Sequence, residues 1–556
     1  MTSPSPPAPS KSRAKGPVTT NPARAADLLA RRLYDAGCRL AFGMPGGEVL
    51  TLLDALERAG IRFVLVKHEN AAGFMAEAVW SLTGAPGVLV ATLGPGAMNG
   101  VNVVANAHQD RVPLIVLTGC VDPDETARYT HQVMDHAAVF RTITKDTLTL
   151  TPAAAGVIAD RAVSTALAPR PGPVHLDVPI AVAAAPAGSV GPRRTPPAAS
   201  VPAPGPALDA ARGALAASDR PVLLAGLDAV CENAGAALTA FAETHGVPVI
   251  TTYRGKGLLP ETHPLSLGAA GLSPLADDIL LPLVARADLV IAAGYDPIEM
   301  RPGWRDAWDP ARQTVIEIAA EDMPHYMHAS TVFLRTDIAP TLAALSEGTP
   351  PRPTWPEGDL VHARTALGAA FPAGDDWGPA AVIAAARAAL PDTAIATVDS
   401  GAHRILLSQM WTCTQPRTLL QSTGLCTMGC AIPLAAGAKL VAPDRPVVAF
   451  TGDAGFLMIA GELATLAELA LPVIIVVFVD ASLALIEKKQ RERQLPNAGV
   501  DFAVHDYAAI GRAFGGRGVT VTDRAALTAA LAEAQAADRF TVIAAMIDRG
   551  AYDGRI

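Results

Sequence analysis

The chain has 556 residues, of which 50% are hydrophobic and 17% are charged, so it is long and apolar enough to form several domains with buried cores. Its formal net charge is −9 at pH 7. Because nucleic-acid binders usually display a basic face, we expect no nucleic-acid partner. Its apolar runs are shorter than the roughly 18 residues that a membrane-spanning helix needs, so we also expect no membrane segment.

The first twenty residues combine Ser, Pro and basic side chains without an apolar segment, which excludes a secretory signal. We expect a disordered tail over residues 1–20. An organelle transit peptide is the alternative, but the density of Pro opposes the amphipathic helix that such peptides form. The six cysteines have no CxxC pairs and no regular spacing, which is typical of reduced thiols and favours a cytoplasmic protein.

Segments rich in β-branched residues then alternate with Ala-rich helical stretches, which is the pattern of helices packed on parallel sheets. We therefore predict an α/β protein with three doubly wound parallel-sheet domains. The first domain spans residues 21–185, with strands at "RFVLVKH", "GVLVATL", "PLIVLTG" and "PVHLDVP". A linker rich in Pro, Ala and Gly follows at 186–207.

The same pattern continues in the rest of the chain. A central domain at 208–346 has strands at "PVLLAG", "PVITTY", "DLVIAAG" and "TVIEIA", and a second Pro-rich linker follows at 347–375. The third domain, at 376–550, has strands at "AIATVDSG", "PVVAFTGD", "PVIIVVFVD" and "FTVIAAMID".

Two acidic residues follow consecutive strands of the third domain. Asp453 comes directly after "VVAFTG", and Asp480 ends "VIIVVFVD". In open α/β sheets, ligands bind beyond the carboxyl ends of the strands, where helix N-termini offer free N–H groups to anions. Two carboxylates that converge beside a phosphate are the ligands that Mg²⁺ prefers. For either acid alone, a helix N-cap is the alternative interpretation.

The stretch "TGDAG", followed some twenty-five to thirty residues later by "FVDAS", resembles the metal motif of the thiamine-diphosphate-dependent enzymes, Gly-Asp-Gly and Asn-Asn. The resemblance implies that Asp453, Asp480 and the main-chain carbonyl of Ser482 bind Mg²⁺. Asp480 replaces an Asn and so retains an oxygen ligand and adds a charge. Ala454 replaces a Gly, which requires that its backbone does not adopt a positive φ.

Further motifs similar to those of the family cover nearly the whole chain. "AFGMPGGEVL" and "ATLGPGAMN" resemble its two Gly-rich turns, and "DSGAHRI" resembles the turn that cradles the diphosphate. In "STGLCTMGCAIP", a bulky residue, here Met428, would hold the cofactor in its bent shape, and Cys426 stands where Gly is usual. The residues that the resemblance gives to thiamine diphosphate are Gly46, Gly47, Gly401, Ala402, His403, Cys426, Met428, Gly452, Asp453, Ala454 and Gly455.

Glu69 lies in "VKHENAAGFMAEA", between a predicted strand and a predicted helix. The resemblance places here the catalytic Glu, which hydrogen-bonds to the aminopyrimidine ring and promotes deprotonation of the thiazolium carbon. A carboxyl group in an apolar pocket has a raised pKa and can exchange a proton with a ring nitrogen. From the residues alone, an acid paired with the helix dipole is the alternative.

The resemblance also implies the roles of the three domains. The first would bind the pyrimidine ring, the central one is Rossmann-like, and the third would bind the diphosphate. Since Glu69 belongs to the first domain and Asp453 to the third, the family's architecture implies active sites between the subunits of a homodimer or homotetramer.

Three stretches resemble acetolactate synthases, especially the flavin-free catabolic type: "YTHQVMDHAAVFRTITK", "AGYDPIEMRPGW" and "FVDASLALIEKKQRERQL". The first supplies Gln132 as a candidate contact to a 2-oxo acid substrate. The resemblance implies a carboligase that joins two pyruvates to 2-acetolactate with release of CO₂. The alternatives are another acyl-transferring carboligase, such as a sulfoacetaldehyde acetyltransferase, a 2-oxo acid decarboxylase, or a non-catalytic relative. The catabolic pattern disfavours FAD, although the Rossmann-like central domain leaves that cofactor open.

Simple decarboxylases of this family often carry an adjacent His-His pair, which this chain lacks. His108, His131 and His136 could serve separately, but we expect structural or surface roles for them.

Overall fold

The computed structural model describes residues 23–322, 325, 327–356 and 358–556. The tail predicted at residues 1–20 lies outside the described residues. Three six-stranded sheets are present, and their strands pair in parallel throughout, as the alternation of strands and helices predicts.

The first domain packs helices on both faces of its sheet, because alternate residues of its buried strands belong to two different cores. Its strands are β1 (Leu40–Met44), β2 (Arg62–Leu65), β3 (Gly87–Ala91), β4 (Leu114–Cys120), β5 (Asp146–Thr149) and β6 (Val174–Pro179). Its helices are α1 (Ala25–Asp35), α2 (Leu50–Ala59), α3 (Glu69–Thr83), α4 (Pro95–Asn99), α5 (Val101–Gln109), α6 (His136–Phe140), α7 (Ala155–Leu167) and α8 (Ile180–Ala184).

The central domain also has a core on each face of its sheet. Its strands are β7 (Pro221–Ala225), β8 (Val249–Thr251), β9 (Ser266–Ala269), β10 (Leu289–Ala293), β11 (Thr314–Ala319) and β12 (Val332–Arg335). Its helices are α9 (Pro206–Ala217), α10 (Leu227–Cys231), α11 (Gly235–His245), α12 (Pro274–Arg286) and α13 (Ile338–Ser346).

The third domain follows the same plan. The strands are β13 (Ile395–Val398), β14 (Leu419–Gln421), β15 (Val447–Gly452), β16 (Ile474–Val479), β17 (Arg517–Val521) and β18 (Thr541–Met546). The helices from the second predicted linker onwards are α14 (Asp359–Ala370), α15 (Pro379–Ala389), α16 (Ala402–Met410), α17 (Ala431–Val441), α18 (Asp453–Ile459), α19 (Leu463–Glu468), α20 (Ala484–Glu492), α21 (Tyr507–Ala513) and α22 (Arg524–Gln535).

The strand orders show where ligands can bind. The first and third sheets share one topology, β2-β1-β3-β4-β6-β5 and β14-β13-β15-β16-β18-β17, whereas the central sheet has the order β12-β11-β10-β7-β8-β9. In such sheets, the strand order reverses at a switch point, and a crevice opens there beyond the carboxyl ends of the strands. The switch points lie between β1 and β3, between β7 and β10, and between β13 and β15.

Helices α3 and α17 join the first and third domains through one continuous core. Helix α3 is buried on nearly all sides, as expected for a helix that is apolar around most of its circumference. It packs closely on α17, where a Cβ at Gly437 would clash with the backbone carbonyl of Met75. The two domains are therefore in direct contact within the chain.

The predicted linkers differ from each other in structure. Residues 187–203 form neither a helix nor a strand. The stretch 347–375 contains α14, whose Ala363, Leu360 and Leu367 pack into a central-domain core. Of the described helices, none combines the length and apolar character required to cross a membrane. All six cysteines lie within the described residues and have free thiols.

Candidate active site

A cavity of about 190 Å³ lies at the carboxyl edge of the third sheet. It collects all of the third-domain residues that were predicted to bind the cofactor or the metal. These residues are Gly401, Ala402, His403, Cys426, Met428, Gly452, Asp453, Ala454, Gly455, Asp480 and Ser482.

Three helices begin at this cavity. Helix α16 starts after β13, α18 starts after β15 and α20 starts after β16. The first N–H groups of a helix have no partner within that helix, and the helix dipole favours negative charge at this end. The cavity therefore offers several free backbone donors to an anion such as a diphosphate.

Asp453 and Asp480 meet at this edge because β15 and β16 are neighbours in the sheet. Asp453 Oδ1 accepts a hydrogen bond from its own helix, from Ala454 N at 2.8 Å. Its Oδ2 accepts from Ala481 N at 2.7 Å and from Asp480 N at 3.2 Å. Asp480 Oδ1 accepts from Ser482 N at 3.2 Å. Asp453 thus holds the loop that carries the other two predicted metal ligands.

The electrostatics of this pair favour a bound cation. Burial and then the charge of Asp453 raise the pKa of Asp480 to about 7, and burial also raises the pKa of Asp453. Two carboxylates at one site disfavour each other's ionisation. A hard divalent cation with oxygen ligands would relieve this repulsion.

Asp399 lies against two residues that line the cavity, His403 and Gly455, and it is not among the site residues predicted from the sequence. It is 1% exposed, its Oδ1 lies 2.8 Å from His403 Nε2, and its Oδ2 accepts from Gly429 N at 2.7 Å. A Cβ at Gly455 would clash with the same carboxylate, so only glycine fits there. Asp399 could have been predicted, because it follows a predicted strand of the third domain just as Asp453 does.

Two departures from the family motif have different local structures. Ala454 lies in the first turn of α18 and is not among the residues with a positive φ, so its backbone does not require the glycine that the family motif has here. Cys426 has a φ of 52°, a conformation in which glycine is favoured. Its Sγ accepts a hydrogen bond from Arg404 Nη2 at 3.2 Å and donates to Thr423 O at 3.1 Å.

Glu69 lies at the carboxyl edge of the first sheet, where it begins α3. It is 3% exposed, and its Oε2 accepts a hydrogen bond from Asn99 Nδ2 at 3.0 Å. Its Oε1 lies 3.1 Å from the position that a Cβ on Gly96 would occupy. The turn "LGPGA" therefore forms one wall of the Glu69 pocket, and Asn99 orients the carboxyl group.

The other predicted residues of the first domain lie at the same edge. A Cβ at Gly46 would clash with Thr92 Oγ1, so the turn after β1 passes directly against the end of β3. Gly47 begins a 3₁₀ turn at Gly47–Val49 and faces open space. Gln132 is exposed, has a φ of 59°, and its backbone packs on Gly94.

A buried network fixes the turn beside Glu69. Gly94 N donates to His136 Nε2 at 3.2 Å, and His136 Nδ1 lies 2.8 Å from Asp177 Oδ1. Since Nε2 accepts, the proton of the ring is on Nδ1, which donates to the carboxylate. Thr118 Oγ1 donates to the same Asp177 oxygen at 2.7 Å. His136 therefore has a structural role, whereas His131 is exposed.

The predicted residues thus form two clusters rather than one. The described residues that line the third-domain cavity all belong to that domain. Glu69, Gly46, Gly47 and Gln132 lie together at the carboxyl edge of the first sheet. The third-domain cluster suits a diphosphate with a hard cation. The first-domain cluster contains the buried carboxyl group of Glu69, which suits contact with a nitrogen-containing ring.

The switch point of the central sheet is occupied by ion pairs with the first domain. Asp228 and Asp296 follow β7 and β10, and Arg170 bonds to both of them. Arg111 Nη2 also donates to Asp296 at 3.2 Å. A Cβ at Gly226 would clash with the carbonyl of Gly294, so the two loops touch where a dinucleotide would lie.

Fold and site together define an α/β protein with paired ligand-binding edges on two domains of one topology. Three family models match the chain in order: the N-terminal thiamine pyrophosphate binding domain at residues 23–139, the central domain of these enzymes at 208–345, and the C-terminal binding domain at 399–545. The chain belongs to the thiamine pyrophosphate enzyme family.

Relatives from several bacteria match over most of their length. A probable 2-ketoarginine decarboxylase of Pseudomonas aeruginosa is 33% identical over 503 residues, 88% of each chain. The catabolic acetolactate synthase of Raoultella terrigena is 30% identical over 541 residues, 95% of each chain. The acetolactate synthase isozyme 1 large subunit of Escherichia coli is 33% identical over 485 residues, 84% of this chain and 83% of the relative. The chain is therefore an acetolactate synthase-like enzyme dependent on thiamine diphosphate.

The residues present fit this cofactor. Neither Asp453 nor Asp480 forms a salt bridge with a Lys or Arg of the described residues. The helix N-termini offer anion donors, and Gly455 is required by close packing. The donor set is that of a magnesium diphosphate rather than of a transition metal.

Proposed function

We propose that this enzyme decarboxylates a 2-oxo acid on thiamine diphosphate and joins the remaining acyl group to a second carbonyl compound. The leading reaction is the condensation of two pyruvates, which with one proton gives 2-acetolactate and CO₂. The observation that carries the proposal is the cavity at the β13/β15 switch point, where the predicted cofactor and metal residues meet. The acetolactate synthases among the relatives support the choice of substrates.

Each half of the site has a distinct role in this proposal. Asp453, Asp480 and the carbonyl of Ser482 would hold Mg²⁺, and the N-termini of α16 and α18 would hold the diphosphate. When bound, thiamine diphosphate would supply a carbanion on its thiazolium ring that adds to the 2-oxo acid, and the ring would accept the electron pair released with CO₂. Glu69, oriented by Asn99, would exchange a proton with a nitrogen of the pyrimidine ring.

The separation of the two clusters supports active sites shared between subunits. Glu69 and the cavity lie on different domains, and the α3–α17 contact fixes those domains relative to each other within one chain. A homodimer would place the first-sheet edge of one subunit over the third-sheet edge of the other, and a homotetramer would contain two such pairs. Gln132 packs on Gly94, in the turn that forms a wall of the Glu69 pocket, and would contact the substrate.

The test is incubation of the purified protein with thiamine diphosphate, Mg²⁺ and a panel of 2-oxo acids, with CO₂ release and the organic product measured. Acetolactate from pyruvate alone would establish the leading reaction. Aldehyde without a coupled product would identify a decarboxylase. Absence of CO₂ from every acid at saturating cofactor would refute the proposal and leave a non-catalytic relative.

A second candidate is simple decarboxylation, in which a 2-oxo acid and a proton give an aldehyde and CO₂. The specific observation in its favour is the relative described as a probable 2-ketoarginine decarboxylase. Acyl transfer from another donor, such as sulfoacetaldehyde, is a further outcome that the same product analysis would detect.

We further propose that the protein is cytoplasmic and holds no flavin. Free thiols at all six cysteines support the first point. The ion pairs of Arg170 at the central switch point support the second, because they occupy the crevice that a dinucleotide would need.

A further inference from the structure

Glu48 is a carboxylate at the first-sheet switch point that the proposed reaction does not use. It follows β1 directly, beside Gly46 and Gly47, and its Oε2 accepts a hydrogen bond from Thr92 Oγ1 at 2.6 Å. Thr92 follows β3, which is the other strand of the switch point. Glu48 therefore lies in the crevice where sheets of this topology bind ligands.

Thr92 connects this carboxylate to the proposed catalytic group. On one side its hydroxyl bonds to Glu48, and a Cβ at Gly46 would clash with that bonded pair. On the other side, the methyl carbon of Thr92 and Glu69 Oε1 lie 2.8 Å and 3.1 Å from the position that a Cβ on Gly96 would occupy. Glu48 and Glu69 thus flank a single threonine at one edge of the sheet.

The surroundings of Glu48 lack a cation to balance its charge. No Lys, Arg or His of the described chain lies within ion-pair distance of its carboxylate. The third-domain cavity that would face it in a dimer has no lysine or arginine among its described lining residues, and it adds Asp453 and Asp480. A half-buried carboxylate that has a hydrogen bond but no ion pair attracts a ligand that supplies the opposite charge.

The usual structural explanation for an acid at this position does not account for the geometry. An acid in the first turn of a helix can bond to the free N–H groups of that helix. The carboxylate of Glu48 instead turns away from α2 to a hydroxyl on another strand end. Because Thr92 donates, Glu48 is held as an acceptor with its remaining lone pairs available.

We propose that Glu48 is a specificity-determining residue that admits 2-oxo acids whose chain ends in a guanidinium or ammonium group. This inference rests on the proposed function, since it names a substrate class for the same decarboxylation. A cationic chain end would bond to Glu48 while the 2-oxo acid group lies at the reacting carbon. The relative described as a probable 2-ketoarginine decarboxylase is named for a substrate of this class.

The test compares 2-ketoarginine with its neutral isostere 2-oxo-5-ureidopentanoate, using the cofactor-loaded enzyme and CO₂ release. Hydrogen bonds to charged groups correspond to about a tenfold to a hundredfold preference in kcat/KM for the cationic acid. Glu48→Gln keeps the bond to Thr92 but removes the charge, so the ratio should fall to within about threefold of one. Glu57→Gln, an exposed acid at the far end of α2, is the matched control and should leave the ratio unchanged.

Thr92 provides a second measurement that does not depend on the fold of the Glu48 variant. Thr92→Val should lower the ratio by releasing Glu48, and Thr92→Ser should restore it. A wild-type ratio near one, or a ratio that Glu48→Gln leaves unchanged, would overturn the inference. Those results differ from failure of the proposed function, in which no acid on the panel, pyruvate included, releases CO₂.

Discussion

The division of the site between two domains predicts complementation between two inactive variants. Glu69→Gln keeps an oxygen to accept the hydrogen bond of Asn99 and so preserves the pocket, but it removes the group that exchanges a proton. Loss of general acid–base catalysis lowers turnover by about 10²- to 10⁴-fold. Asp453→Asn keeps the size of the side chain but removes its charge and turns an amide N–H₂ toward backbone N–H groups that now donate to a carboxylate oxygen, so at limiting cofactor its sites remain empty.

If each active site takes Glu69 from one subunit and Asp453 from the other, a hybrid dimer has one site with both substitutions and one with neither. Random exchange of equal amounts makes about half of the dimers hybrids, so the mixture should recover about a quarter of the wild-type activity. The assay is CO₂ release after co-refolding, with hybrids isolated through two different affinity tags.

A matched control separates hybrid sites from an effect of mixing. Glu69→Gln mixed with the double variant Glu69→Gln/Asp453→Asn has no intact combination in any arrangement, so it should stay at the activity of the single variants. If hybrids form but the mixture of Glu69→Gln and Asp453→Asn also shows only the activity of the single variants, Glu69 and Asp453 act within one chain. The proposal that the active site is shared between subunits would then be wrong.

Three further predictions follow from the charges. Asp480→Ala, which removes the oxygen ligand, should raise the Mg²⁺ concentration for half-maximal activity by about tenfold, and an unchanged Mg²⁺ titration would remove Asp480 from the ligand set. Burial raises the pKa of Glu77 from 4.5 to about 8. Arg254 Nη2 lies 3.5 Å from Glu77 Oε1 and opposes this shift. At about 1.4 kcal/mol per pKa unit, the unfolding free energy of the wild type should fall relative to that of Glu77→Gln as the pH rises from 4.5 to 8, by at most roughly 5 kcal/mol. The opposite trend in thermal melts would show that Arg254 keeps Glu77 ionised. Arg170→Ala should cost about 3 kcal/mol of unfolding free energy in denaturant titrations, because it leaves the buried Asp228 without its ion pair and Asp296 with Arg111 alone. A neutral result would mean that the central switch point is not held by this residue.

The strands of the interior of each sheet were largely predictable, and the edge strands other than β2 were not. Each of the strand segments predicted from β-branched runs contains a strand. The strands without a sequence signal were β1, β5, β9, β12, β14 and β17. All but β1 lie at the edge of a sheet. Edge strands are short and partly exposed, so their formation depends on pairing with a neighbour more than on an apolar pattern.

The ligand-binding edge was predictable where a residue's position along the chain also fixes its position in the fold. An acid at the end of a buried strand necessarily reaches the carboxyl edge, and Asp453 and Asp480 needed only that β15 and β16 be neighbours. Asn99 and Thr92 gave no such signal, because their contacts with Glu69 and Glu48 depend on how two loops approach each other. Helix α14, inside a Pro-rich stretch, is stabilised by burial against the central domain rather than by its own sequence.

The shared strand order of the first and third sheets explains how one site can combine a fixed function with a variable one. The third-sheet edge carries Asp453 and Asp480, which bind only the cofactor and its metal in our proposal. The first-sheet edge carries Glu69 for proton exchange and Glu48 toward the substrate, with Thr92 between them. Because cofactor anchoring and substrate choice lie on different domains, a substitution at Glu48 can change the substrate class without loss of cofactor binding.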